Sequence, residues 1–148
     1  MRGGIVVLAV AAASLLSACG GGDDDQLSAQ EFRQQANAIC TKYEARLAAI
    51  GQPTSIDELK DYVAKAVPII EAGNAELSEL QPPDELAEQW DRAMEINDRQ
   101  LETVRDIQDA VEEGDQERVQ ELFARGSTAD EEANRLAAQM GLDECAAD

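Results

Sequence analysis

The chain has no histidine, few aromatic residues and few cations, and each shortage excludes a class of function. Without imidazole there is no histidine metal ligand and no Ser–His or Cys–His catalytic pair. Lys and Arg number 12 against 31 Asp and Glu, and the resulting net charge of -19 works against nucleic acid, whose phosphates need neutralising cations. Aromatic residues make up only 3% of the 148, so no platform for stacking bases is expected either.

The N-terminal segment has the pattern of an export signal. Arg2 gives it a positive start, and residues 5–16 contain no charged side chain. This length is typical of the apolar region of a signal peptide, about 7–15 residues, and falls short of the roughly 20 that cross a bilayer. We therefore predict a signal peptide over residues 1–18. The alternative is a buried core helix, which the flanking residues disfavour.

The sequence Leu16-Ser17-Ala18-Cys19 follows the apolar run directly. These residues resemble the lipobox of bacterial lipoproteins, which stands at the same distance behind an apolar segment. The resemblance implies that Cys19 receives a diacylglycerol and that the leader is cut immediately before it. A lipidated cysteine carries two or three acyl chains, enough for stable attachment. We therefore expect a protein anchored to the extracytoplasmic face of a bacterial membrane, with the membrane itself as one partner.

Residues 19–27 are predicted to form the lipidated cysteine and a flexible tether. Three glycines are followed by three aspartates, Asp23 to Asp25, which repel one another and anionic headgroups. A calcium loop is the alternative for the aspartate run. It is disfavoured because the alternating ligand spacing and closing Glu of an EF-hand are missing.

The cysteine count fits an exported lipoprotein. The chain has three cysteines, and if lipid occupies Cys19, then Cys40 and Cys145 remain. In an oxidising compartment these two are a natural disulfide pair. Two buried free thiols are the alternative.

Residues 28–148 read as a helical domain. Capping boxes of the form Ser-x-x-Glu, at Ser28/Glu31 and Ser55/Glu58, predict two helix starts. Helical spacing gives four apolar stripes. They comprise Phe32, Ala36, Ile39, Tyr43, Leu47 and Ile50; then Ile56, Leu59, Val63, Val67, Ile70, Leu77 and Leu80; then Leu86, Trp90, Met94, Asn97, Leu101, Val104 and Val111; and finally Val119, Leu122, Phe123, Ala129, Ala133, Leu136 and Met140.

Three residues inside these stripes call for comment. Pro68 predicts a bend in the second helix, with a functional hinge as the alternative. Gly126 predicts an interruption of the fourth helix. Asn97 lies on the third stripe, where fixing the bundle register or partial exposure is favoured over a ligand-binding role.

Four amphipathic helices with short connections predict an all-α, antiparallel up-down-up-down four-helix bundle. In that arrangement the end of the fourth helix lies beside the start of the first. The C-terminal tail, Leu142–Asp148, reaches Cys40 if Gly141 reverses the chain. We therefore expect one disulfide, between Cys40 and Cys145, to staple the bundle.

The remaining functional groups are acidic clusters, which we expect on solvent-facing helix surfaces. They are Asp84/Glu85/Glu88, Glu112/Glu113/Asp115, Asp130/Glu131/Glu132 and Asp143/Glu144. The Glu-x-x-His pattern of di-iron bundles and the C-x-x-C-H haem motif are both missing. We predict no cofactor, no metal and no enzymatic activity.

The segments Gln34–Cys40, Leu80–Pro83 and Gly141–Cys145 resemble small helical lipoproteins of high-GC, actinobacteria-like bacteria. That resemblance implies a fold and a location but no activity. We favour a non-catalytic interaction or structural module that presents an acidic surface to a protein partner in the cell envelope.

The alternative is a carrier of a small apolar ligand, held between the helices near Pro68 and Gly73. A carrier needs an apolar cavity of about 300 Å³ or more. An interaction module needs a filled core and an exposed patch.

Overall fold

The computed structural model describes residues 26–146, which form four helices and no strand. The helices are α1 (Ala29–Ala48), α2 (Ile56–Ser78), α3 (Asp84–Glu113) and α4 (Gln116–Met140). The predicted signal peptide with its lipobox, Cys19 and most of the tether lie outside the described residues. Gln26 donates to the Pro82 carbonyl and to Asp84, and the Leu27 amide donates to the Gln81 carbonyl, so these two residues contact the link between α2 and α3.

The helices begin where the sequence supplies capping groups. Ser28 and Glu31 form the predicted capping box at α1. At α2 the Ser55 hydroxyl caps the helix, but the Glu58 carboxylate accepts from the backbone and hydroxyl of Thr54 instead of closing the second box. Asp115 caps α4, and its carboxylate accepts from the backbone of Arg118 at 3.0 Å.

The helices end at glycines in two places. Gly114 after α3 and Gly141 after α4 have φ values of 74° and 75°, which L side chains rarely adopt. Gly126, by contrast, does not interrupt α4, which continues through it as one helix. A single glycine costs a helix only about 1 kcal/mol, and packing of the surrounding turns outweighs that cost.

Consecutive helices run antiparallel, as the polar pairs between them show. Between α2 and α3, Arg105 bonds Glu71, while Asn74 bonds Asp98. Between α3 and α4 the same order holds, with Arg92 paired to Glu132 and Asp106 to Arg125. The predicted antiparallel four-helix bundle is confirmed.

The core consists of two apolar clusters along the bundle. The first joins α1, α3, α4 and the C-terminal tail, and the Phe32 and Trp90 rings meet edge to face there at 4.9 Å. The second joins α2, α3 and α4 through residues such as Val63, Ile107 and Leu122. The helix α1, with 20 residues, is shorter than α3, with 30, and contributes no buried residue to the second cluster.

Some residues of the predicted apolar stripes are not buried. Ile56 and Phe123 are each 48% exposed. On α3 the buried face differs from the predicted third stripe. Ile96 and Ile107, which are not in that stripe, are buried, while its members Met94 and Leu101 are only half-buried. α3 packs against two neighbours at once, and its buried face is therefore broader than a narrow heptad stripe.

Candidate functional site

A cleft of about 350 Å³ opens between the four helices, beside the first apolar cluster. Every helix contributes to its walls, and so does the C-terminal tail. Most of the lining is apolar: Ile39, Tyr43, Leu47, Ile70, Leu77, Trp90, Ala93, Ala133, Ala137, Met140 and Leu142. This volume lies near the lower end of the range of about 300–1,000 Å³ found for small-molecule pockets.

The α1 wall of the cleft is the second half of the predicted α1 stripe. Phe32 and Ala36 at its start are fully buried, whereas Tyr43 and Leu47 are only half-buried. Both of these later residues line the cleft, which leaves part of each side chain uncovered.

Gly73 sets the distance between α1 and α2 at the cleft. A Cβ at this buried position would lie 3.0 Å from Cγ of Tyr43, closer than side chains normally pack. The missing side chain lets the Tyr43 ring lie directly on α2. Gly73 lines the cleft as predicted for the carrier hypothesis, but Pro68, named with it, is exposed and outside the lining.

Tyr43 is also held at its hydroxyl. It donates to Glu76 at 2.7 Å, and Lys42 donates to the same carboxylate oxygen at 2.6 Å. The hydrogen bond from Lys42 has the largest effect on the Glu76 carboxyl and, together with that from Tyr43, lowers its pKa. The hydrogen bond to Glu76 in turn raises the pKa of Lys42. The ring that lines the cleft is thus fixed at both its edge and its face.

Small side chains on α4 make room for the cleft. Ala133 and Ala137 line it together with Trp90 and Ala93 of α3. Ala133 lies on the predicted fourth stripe, and nothing in the sequence distinguishes a stripe residue that borders open space from one that fills the core. The spacing of Ala133 and Ala137, four positions apart, is equally typical of close helix packing.

The disulfide forms one end of the cleft. Cys40 and Cys145 are bonded, with Cα atoms 5.2 Å apart, which confirms the predicted pair, and both residues line the cleft. Hydrogen bonds hold the tail as well: Arg33 donates to the Met140 carbonyl at 2.7 Å, and the Glu144 amide donates to Asn37 at 3.0 Å. The tail is therefore a fixed wall.

Two asparagines line the cleft. The Asn74 amide nitrogen donates to Asp98 at 2.8 Å, while its buried carbonyl oxygen finds no donor among residues 26–146. Asn97 is half-buried, and its nearest polar contact is the Met94 sulfur at 3.9 Å. Asn97 lies beside the cleft and is partly exposed, as one of its two favoured interpretations expects.

The charged groups of the cleft are all acidic. Glu44 on α1 and Glu144 on the tail line it, and the lining contains no Lys or Arg. Elsewhere in the part of the chain that the structure describes, no group of three or more acidic or cysteine side chains is arranged to hold a metal ion. The lining offers carboxylates and amides, but neither a serine nor a threonine hydroxyl as a nucleophile.

None of the four helices is long and apolar enough to cross a membrane. The chain matches no known protein family, no curated protein and no solved structure.

Proposed function

We propose that this chain is a lipid-anchored, extracytoplasmic protein that binds a small, largely apolar molecule in the cleft between its helices, without catalysing a reaction. The cleft is the observation that carries the proposal. At about 350 Å³ it exceeds the volume of about 300 Å³ at which small-molecule sites begin, and its lining is mostly apolar.

The proposed location has separate support. It rests on the apolar run of residues 5–16 and on the lipobox-like residues ending at Cys19. The Cys40–Cys145 disulfide agrees with it, because disulfides persist in oxidising compartments outside the cytoplasm. The proposed ligand site and the proposed lipid anchor rest on different residues. Either of them can therefore be wrong while the other is right.

The interaction-module hypothesis keeps one supporting observation. Phe123 on α4 is 48% exposed, and an envelope protein partner could cover it. Single exposed apolar residues are common on proteins that bind nothing, whereas interaction sites present contiguous patches of a few hundred Å². We therefore place this candidate second.

Native mass spectrometry of the protein released from its own membrane tests the proposal. We expect a chain that begins at a lipidated Cys19, lacks the two thiol hydrogens of Cys40 and Cys145, and carries a non-covalent small molecule. A mature chain that still begins at Met1 would refute the anchor. A lipidated chain that never retains or takes up an apolar molecule would refute the ligand site.

A matched pair of variants locates the molecule. Ala133→Leu adds three carbons inside the cleft, whereas Ala138→Leu adds them on the exposed side of the same helix. We expect the first variant to lose the bound mass and the second to keep it. Equal retention by both would place the molecule elsewhere.

A further inference from the structure

The charges around the cleft restrict what it can hold. Its apolar walls suit a hydrocarbon body, and the charged residues of its lining are Glu44 and Glu144. Both residues are exposed, and both are near Thr41. The Thr41 hydroxyl lies 3.5 Å from a carboxylate oxygen of Glu144, and Glu44 follows Thr41 by three positions on α1. Positions three apart on a helix are neighbours on one face. The two carboxylates therefore lie on the same side of the cleft.

These carboxylates are not neutralised by the protein. Within residues 26–146 neither Glu44 nor Glu144 forms an ion pair. The cations of α1 are engaged elsewhere: Lys42 pairs with Glu76, Arg46 lies over the Tyr43 ring at 5.1 Å, and Arg33 donates to the Met140 carbonyl. The rim of the cleft is thus acidic next to an apolar interior.

We infer that the natural occupant is a cationic amphiphile, a molecule with an apolar body for the cleft and a protonated amine or similar cation for Glu44 and Glu144. The inference rests on the proposed function, since it names the ligand class of the same cleft. An anionic amphiphile such as a fatty acid finds no Lys or Arg in the lining and is repelled by both carboxylates.

The single tryptophan of the chain provides the assay. Trp90 lines the cleft, so a change in its fluorescence when a probe is added to the folded protein reports binding beside that residue. The full chain is used with Cys19→Ser, so that no attached acyl chain competes for the cleft. Three probes with the same hydrocarbon chain are titrated below their aggregation concentrations: decylammonium, n-decanol and decanoate.

We expect decylammonium to bind most tightly, n-decanol about threefold to tenfold more weakly, and decanoate most weakly of all. This range corresponds to one or two exposed ion pairs. The preference should shrink as salt is added, because salt screens exposed charges.

The double variant Glu44→Gln/Glu144→Gln should bind decylammonium and n-decanol with equal affinity and leave the affinity for n-decanol unchanged. The matched control, Glu102→Gln/Glu121→Gln, removes the same charge from exposed positions outside the cleft and should keep the preference. A preference abolished equally by both double variants would show that only overall charge matters and would overturn the inference.

The outcomes separate the two proposals. If no probe changes the fluorescence of Trp90, the proposed ligand site is wrong. If all three bind with similar affinity, or decanoate binds best, the site stands and its assignment to cationic amphiphiles is wrong. Retention of the full preference by the Glu44/Glu144 double variant would likewise overturn that assignment.

Discussion

Breaking the Cys40–Cys145 disulfide should cost this protein a large part of its stability. The bond joins residues 105 positions apart and so closes most of the folded chain into one loop. Loop-closure entropy for about 100 residues corresponds to about 4.7 kcal/mol. Domains of this size are stable by about 5–15 kcal/mol, so the reduced protein should approach the margin of folding.

Urea denaturation followed by Trp90 fluorescence measures this loss directly. Oxidised protein, protein reduced with a dithiol, and the Cys40→Ser/Cys145→Ser variant are compared at one pH. We expect the last two to agree with each other and to lie several kcal/mol below the first. The agreement matters, because it shows that the missing cross-link and not the serine side chains causes the change.

A difference below about 1 kcal/mol between oxidised and reduced protein would refute the reasoning. It would mean that the unfolded chain remains compact, or that the tail detaches from the reduced protein while the helices stay folded. Non-covalent contacts oppose that detachment: Leu142 is only 1% exposed, and Arg33 and Asn37 hydrogen-bond the chain around it.

Four further perturbations test the helices themselves. Ile96→Ala, at a fully buried position, should destabilise by about 2–5 kcal/mol in urea denaturation. Gly126→Ala should stabilise α4 by about 0.5–1 kcal/mol, whereas Gly141→Ala should destabilise, since its φ is 75° and its Cβ would lie 3.1 Å from the Arg33 side chain. Hydrogen bonds from the Ser28 hydroxyl, then its backbone, lower the pKa of Glu31 below the ordinary 4.5. Its contribution to stability is therefore complete above that value and is lost as pH falls through the lowered pKa, which carboxyl NMR titration would follow.

Each of these has a control within the chain. Ile56→Ala removes the same atoms at a position 48% exposed and should change the free energy of unfolding far less than Ile96→Ala. The free energy of unfolding should rise for Gly126→Ala and fall for Gly141→Ala. A change in the same direction for both variants would contradict the argument from backbone conformation. Ser28→Ala should move the pKa of Glu31 back toward 4.5, and an unmoved value would show that the capping bond does not cause the shift.

Much of the fold could be predicted from the sequence because its signals are local. Ser28 with Glu31, Asp115, and glycine at 114 and 141 mark helix ends through contacts within a few residues. The disulfide could be predicted by combining the cysteine count with bundle topology. Gly126 misled because glycine weakens a helix without dictating its end.

The cleft could not be predicted, since it depends on where helices do not touch. Tyr43 and Leu47 continue the same stripe as Phe32, and no pattern along the chain separates residues that fill a core from those that border a gap. The buried face of α3 could not be predicted for the same reason. Ile96 is buried because α3 packs against more than one neighbouring helix. Long-range packing decides both.

The route of the chain gives the domain two distinct poles. Gln26, where the described chain begins, binds Pro82 and Asp84 beside the start of α3, and α3 then runs 30 residues, about 45 Å, to Gly114. The turn at Gly114 is therefore remote from Gln26. An epitope or fluorophore inserted at that turn would project from the far pole and leave the contacts of Gln26 undisturbed.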